Sequence, residues 1–455
     1  MEGNNINDNS FRRNPSLLFI LGFVGFIFLG ATLLNFPFAS VDGNSIGFID
    51  ALFTATSAVC VTGLTVVTTA TQWTFFGKIV ILFLIQIGGL GLMTLSTFIF
   101  FFLGKKISLK TRLLIKEERN ADELQGVVRL TKNVIIYTFT VELIGAFVFS
   151  LVFCREYGFV TGVWYSIFHA ISAFCNAGFD LIGSQSLMPY VTNPIINICT
   201  TSLIIFGGLG YIVVIELIKI RRFKKFSLHT KIVLVMTAIL LISGTVLFLA
   251  LEYNNVGTIG ELNFFGKIQA SYFQSVSART AGYFSVDIAA MRDSTAIMMI
   301  ILMFIGGSSG STAGGVKITT IAVAVLAIHS TIYGKRDIEI YQKRISFSVI
   351  MKAISVIGIA FAVVVIVSMI LSIVETENAF SYVDILFESV SAFGTVGLTR
   401  NVTPLLSALS KIVISCTMFI GRLGPLTIAL AVASRQHGYR NVGNYTYPEG
   451  KIIIG

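Results

Sequence analysis

The chain has 455 residues, of which 55% are hydrophobic and 12% charged, against roughly 25% charged in an ordinary soluble domain. With a mean hydropathy of +0.84 it lacks the polar surface to cover a water-soluble body, which excludes a soluble enzyme and requires helices that face lipid. The net charge of +10 lies in short loops between apolar runs, which speaks for membrane orientation and against a nucleic-acid partner.

After a polar amino terminus carrying Arg12 and Arg13, an apolar run over 17–38 predicts a first spanning helix. It exceeds the roughly 7–15 residues of a signal-peptide core, and three later runs hold the same place in an internal repeat, so it is expected to stay on the chain. The repeat is marked by Phe53, Ser57, Ala58 and Gly63, which recur as Phe168, Ser172, Ala173 and Gly178. Phe273, Ser277, Ala278 and Gly282 are one residue shorter between serine and glycine, and Phe387, Ser391, Ala392 and Gly397 restore the full spacing. A second mark follows each of these glycines: Gly88 to Gly91, Gly207 to Gly210, Gly306 to Gly310 and Gly421 to Gly424.

First helices are predicted over 17–38, 133–153, 231–251 and 349–373, and second helices over 75–103, 194–218, 294–328 and 407–433. Each exceeds the roughly 20 residues that cross a bilayer core, whereas the segment ending at each repeat glycine is too short to span. The expected fold is an all-α membrane protein with eight spanning helices and four re-entrant loops around one pore. The repeats occupy 1–104, 105–220, 221–334 and 335–435, followed by a tail over 436–455.

Basic clusters at Lys105 to Lys132, Lys219 to Lys231 and Lys335 to Lys352 join the repeats and hold, with both termini, most of the 33 basic residues. These stretches and both termini are predicted to be cytoplasmic. The opposite side has more carboxylates than cations, from Asp42 and Asp50 through Asp180 to Glu388. Their sum would concentrate cations at an outer mouth. The five cysteines form no CxxC pair and the four histidines are scattered, so no disulfide framework, zinc site or metal catalysis is expected.

Half-helices that end within the bilayer leave backbone groups unpaired, which is tolerated only in protein or along a wet cavity. The candidate ion-binding residues are Val61, Thr62 and Gly63; Asn176, Ala177 and Gly178; Thr280, Ala281 and Gly282; and Thr395, Val396 and Gly397. Glycine permits the angles that turn carbonyls toward one axis, and rings of carbonyls replace a cation's hydration shell. The absence of carboxylates at these positions favours a monovalent cation. Close helix packing is the competing role for such glycines, but recurrence of the whole Phe, Ser, Ala context favours the filter.

The third repeat departs from the others. Gly306, Gly307, Ser308, Ser309, Gly310, Ser311, Thr312, Ala313, Gly314 and Gly315 interrupt its second helix, and so small and polar a segment at membrane depth suits two arrangements of similar energy. A Walker A reading fails because Val316, not lysine, follows Gly315. Arg422 replaces the second glycine of the fourth mark, placing a charge inside an apolar helix, and is a gate candidate. It is expected to bond carbonyls of that loop, with Glu142 or Glu216 as the competing partner. Lys317 is expected to end the loop, Arg279 to brace the third pore loop against an acidic partner, and Arg400 to lie on the outer surface. Glu142 and Glu216 receive no transport role.

The repeated helix, loop and helix with one glycine per loop, together with Gly306 to Lys317, resemble the Trk/Ktr/HKT superfamily of potassium transporters over residues 15–435. The stretches from Thr56 and from Ser277 to Asp287 look most like bacterial membrane subunits of the KtrB and KtrD type, without separating the two. The resemblance implies potassium uptake, often dependent on sodium, by a homodimer with one pore per protomer in the bacterial cytoplasmic membrane. It also implies a cytoplasmic ring of nucleotide-binding RCK/KTN regulatory subunits, no organic cofactor on this chain, and a mobile loop below the filter. In HKT relatives a serine at the first filter glycine accompanies sodium permeation, so Gly63 implies potassium. An ion-coupled solute carrier is the alternative class, though such carriers show two halves rather than four repeats. An intramembrane enzyme lacks the paired catalytic residues it would need.

Overall fold

A computed structural model describes residues 15–91, 127–335 and 337–424. The basic stretch from Lys105 to Arg119, Arg435 and the tail over 436–455 lie outside the described residues.

The first repeat comprises α1 (Pro15–Asn35), short α2 (Phe48–Cys60) and α3 (Phe75–Leu90). The second comprises α4 (Val127–Tyr157), α5 (Phe159–Phe174), α6 (Pro194–Gly208) and α7 (Tyr211–Lys219). The third has α8 (Leu228–Glu252), α9 (Phe264–Ser277), α10 (Asp293–Phe304) and α11 (Ile318–Ile332). The fourth has α12 (Phe347–Val374), α13 (Tyr382–Gly394) and α14 (Ala408–Leu423). Local sequence sets the starts. Thr74, Asn193, Asn263 and Ser407 each accept an amide hydrogen bond at a helix N-terminus, and Ser381 with Asp384 forms a capping box.

Among the described residues, α4, α8 and α12 are long and apolar enough to cross a membrane, and α6 and α7, bent by 101° at the break, pass the same test only when counted together. Leu143, Phe147, Phe361 and Ile373 are exposed on these long helices, an arrangement that suits lipid and not water. The protein is a mostly helical integral membrane protein. The repeated Phe53, Phe168, Phe273 and Phe387 are fully buried and fix the short helices in the core.

The second helices are not the continuous rods expected from hydropathy. In the second repeat the chain bends by 101° between α6 and α7, whereas only the third was expected to break. The last glycine of the mark is the cause: Gly91, Gly210 and Gly424 have φ of 84°, 89° and 87°, a left-handed geometry that ends helices. The first glycine of the mark serves packing. A Cβ on Gly88, Gly207 or Gly421 would lie 2.1, 2.0 or 1.8 Å from the carbonyl oxygen of Val59, Phe174 or Phe393. In these three repeats the second helix thus presses directly on the end of the short helix, whereas a Cβ on Gly306 in the third would lie 2.0 Å from Gly314 O of the interrupting loop. The third repeat is interrupted as expected, with α10 ending at Phe304 and α11 beginning at Ile318. A hairpin of β1 (Ile338–Ile340) and β2 (Lys343–Ile345), turned through Tyr341 and Gln342 at positive φ, joins repeats three and four and was not foreseen.

Candidate functional site

Each short helix ends the same way. Val61, Asn176, Thr280 and Thr395 are left-handed at φ of 56°, 61°, 69° and 51°, and Gly63, Gly178, Gly282 and Gly397 follow at 91°, 70°, 78° and 94°. Glycine normally fills a left-handed helix end, and β-branched Val61, Thr280 and Thr395 hold it at a cost of about 1–3 kcal/mol each. Local hydrogen bonds offset that cost. The amides of Thr62, Ala177 and Val396 donate to Ser57, Ser172 and Ser391 carbonyls at 2.8 Å, five residues back. In the third loop, one residue shorter, Ala281 donates to Ser277 four residues back at 3.0 Å.

The repeated serine side chains pin the same turns. Ser57 and Ser391 Oγ accept from the amides of Gly63 and Gly397 at 3.0 and 3.1 Å. Ser172 donates to the carbonyl of Phe179 at 2.7 Å, and Ser277 to that of Tyr283.

The four turns meet as a closed ring in chain order. A Cβ on Gly63 would lie 2.5 Å from the Ala177 carbonyl oxygen, one on Gly178 2.8 Å from Ala281, one on Gly282 2.6 Å from Val396, and one on Gly397 2.2 Å from Thr62. All four glycines also line one cavity of about 400 Å³, whose walls include Asp180, Asp287, Thr399 and Asn401. Asp180 and Asp287 are the ionisable side chains among the lining residues described. Burial pushes the Asp180 carboxyl up to about 6, against the opposing pull of the Gly183 and Ile182 amides, each 3.1 Å away, and of Ser186.

The segment from Gly306 to Gly315 packs against the ring and the glycine marks. A Cβ on Gly314 would lie 2.2 Å from Thr395 Oγ1, so the loop abuts the fourth turn. Backbone bonds stitch it to two of the glycine marks: Ser308 N donates to Gly208 at 3.0 Å, Thr312 N to Gly207 at 3.2 Å, and Gly315 N to Gly421 at 3.3 Å. Arg422 donates to the carbonyls of Thr312, in the loop, and Gly88, in the first mark. Lys317 Nζ donates to Ala313 at 2.6 Å.

The acidic residues considered for Arg422 have other contacts: Glu142 accepts from Gln86 Nε2 at 3.1 and 3.3 Å, and Glu216 from Ser227 N and Oγ at 2.6 and 2.7 Å.

Two expectations need correction. Arg400 is not surface: its side chain is 10% exposed and pairs with Asp293 at 3.0 Å and Asp384 at 2.9 Å, because the fourth turn folds back against the start of α10. Arg279 has no carboxylate within ion-pair distance among the described residues, and its Nε has no hydrogen-bond partner; the small cavity it lines is otherwise walled by apolar side chains, glycine backbone and one hydroxyl residue, Thr237.

A set of braces escaped the sequence reading. The residue after each repeated phenylalanine is Thr54, His169, Gln274 or Glu388, chemically unlike one another. Three of them reach the chain leaving the ring: His169 Nε2 accepts from Leu181 N at 3.4 Å, Gln274 meets Ser285 at 3.4 Å, and Glu388 accepts from Thr399 at 2.7 Å and from Thr403.

Four quasi-equivalent turns close a ring inside a mostly helical membrane protein. The TrkH family model, described as a cation transport protein, matches residues 22–439, and the chain belongs to this family. It is 42% identical to the potassium/sodium uptake protein NtpJ of Enterococcus hirae, over 98% of each chain. It is 43% identical to the Ktr system potassium uptake protein B of Bacillus subtilis, over 98% of this chain and 97% of that one. The Ktr system potassium uptake protein D of the same organism is 36% identical over 97% of each. The potassium transporter TrkH from Vibrio parahaemolyticus matches in structure with a TM-score of 0.72 at 16% identity, covering 94% of this chain and 87% of that one, a likeness of fold.

Proposed function

We propose that this chain is the pore-forming membrane subunit of a Ktr-type potassium uptake system in the bacterial cytoplasmic membrane. Eight crossings and four re-entrant loops surround one pore in each protomer of a homodimer, with both termini cytoplasmic. Hydrated cations collect in the cavity beside Asp180 and Asp287. They shed water onto backbone oxygens of the four turns, which replace hydration without a charged side chain.

The observation that carries this reading is the ring itself, in which each repeat glycine lies against the carbonyl of the residue before the next glycine. Thr62 and Thr395 Oγ1, buried and without protein partners, are further oxygens in the same turns. Below the ring the loop from Gly306 to Gly315 blocks the path and is held closed by Arg422. Its release is set by a cytoplasmic RCK/KTN ring, and sodium promotes uptake. The relatives whose names include potassium uptake support the choice of ion.

The test is rescue of a potassium-uptake-deficient bacterium at limiting potassium, with and without a co-expressed RCK-type partner and with sodium varied. Growth only with the partner is expected. Failure in every combination, with the protein shown in the membrane, sinks the reading.

A further inference from the structure

Arg279 is the odd member of its set. Two residues after the repeated serine, the other loops carry Val59, Phe174 and Phe393, all fully buried apolar groups. Here a guanidinium occupies that place, only 8% exposed. Its Nε has no hydrogen-bond partner, and neither has Thr237 Oγ1 on α8, which is 6% exposed. Both residues line one small cavity of about 10 Å³, with Gly208 and Gly307 on its wall.

An unpaired donor buried in protein costs about 1–3 kcal/mol, and more when charged. A water needs about 10–15 Å³ and two to four polar partners, and this cavity meets both requirements. Arg279 Nε donates, Thr237 Oγ1 accepts or donates, and the glycines, having no side chains, present backbone.

We propose that Arg279 and Thr237 hold one buried water there, and that this bridge fixes the third loop in the ring. The third loop needs such a tie. Its siblings close on hydrogen bonds spanning five residues, whereas it is one residue shorter and closes on a bond spanning four. The bridge ties the turn before Thr280 to α8 and, through Gly307, to the interrupting loop. Arg279 is thus a positioning residue, and its relevance to ion choice rests on the reading of the turns as the filter.

A double-mutant cycle tests this with Arg279→Gln, Thr237→Val and the pair. Two readouts are followed: thermal unfolding in detergent, and inhibition by sodium of radiolabelled rubidium uptake. Removing either partner is expected to lower Tm and to strengthen sodium inhibition severalfold, with the pair no worse than the worse single variant and Arg279→Lys partly restoring discrimination. Additive effects, or a silent Thr237→Val, overturn the bridge.

Should Arg279→Gln fail to reach the membrane, Thr237→Val, which removes only a hydroxyl, decides by the same two readouts. Replacing chloride by gluconate is expected to change nothing, and a loss of Tm would assign the cavity to a halide instead. The unfolding cycle needs no transport. A wild-type chain that carries no rubidium therefore removes the filter reading, while the bridge is still judged by its coupling.

Discussion

Gly397 of the fourth repeat packs against the carbonyl of Thr62 in the first so closely that a Cβ would sit 2.2 Å from the oxygen. The first and last repeats, far apart in sequence, thereby close the ring that the intervening contacts of Gly63, Gly178 and Gly282 begin. A side chain at any of the four meets a neighbour's backbone, and each glycine is also left-handed, so space and backbone angle both select glycine.

Gly63→Ser is therefore expected to disturb both folding and ion choice. The left-handed backbone costs a serine about 1–3 kcal/mol, and the Cβ forces Ala177 O outward from 2.5 Å. A shift of that size in one carbonyl position predicts a potassium-to-sodium uptake ratio lowered about tenfold, since about 1.4 kcal/mol is a factor of ten. Competition between sodium and radiolabelled rubidium measures it, and an unchanged ratio in a well-expressed variant refutes the assignment of that turn.

Arg422→Gln removes charge-assisted bonds to Thr312 and Gly88. Such bonds contribute about 1.5–3 kcal/mol each, and in this arrangement they favour the position of the loop over Gly306 to Gly315. Their loss is expected to raise the initial rate of rubidium uptake about tenfold where loop release limits flux. An equal or lower rate at equal surface expression counts against Arg422 as the latch.

With the cavity beside Asp180 facing outward, as proposed above, a pH effect with a definite sign follows. The Asp180 carboxyl sits at about 6 rather than 3.8, so it is anionic above that pH and neutral below it. One charge near water attracts a cation by about 1 kcal/mol at 4 Å. Half-saturation for rubidium is thus expected to rise about fivefold as the outside pH falls through about 6. Asp180→Asn keeps an oxygen for the Ile182 and Gly183 amides and should show the weaker affinity at all pH values. The raised value also means that ionisation opposes folding, so this variant should unfold at no lower temperature than wild type at neutral pH. A pH dependence that survives the substitution assigns the effect elsewhere.

The repeats were legible because backbone geometry demands fixed residue types: serine to pin the turn, glycine to accept left-handed φ, and glycine again where helix meets carbonyl. The helix ends at Leu90, Gly208 and Leu423 carried a readable signal in the last glycine of each mark. Long apolar runs concealed it, because lipid exposure and helix continuity look alike in hydropathy. The braces at His169, Gln274 and Glu388 were illegible for a different reason. The position is shared, but each repeat solves it with different chemistry, so no residue pattern repeats. The pairing of Arg400 with Asp293 and Asp384 depends on how neighbouring repeats meet, which local sequence does not encode.

Ion pairs between repeats should report on assembly of the ring. Lys411 Nζ of α14 lies 2.6 Å from Asp50 Oδ1 of α2, with side chains 14% and 26% exposed; the pair joins the fourth repeat to the first, as Arg400 joins the fourth to the third. Removing one partner leaves the other charge poorly solvated, which costs more than the intact pair contributes. Lys411→Met and Asp50→Asn are each expected to lower Tm, whereas the double variant should regain part of the loss. Contacting residues typically couple by about 0.5–3 kcal/mol, and thermal unfolding of the four proteins in detergent reads that coupling directly. Additive losses would mean that the two side chains stabilise their own helices independently, and closure of the ring would then rest on packing contacts such as that of Gly397 with Thr62.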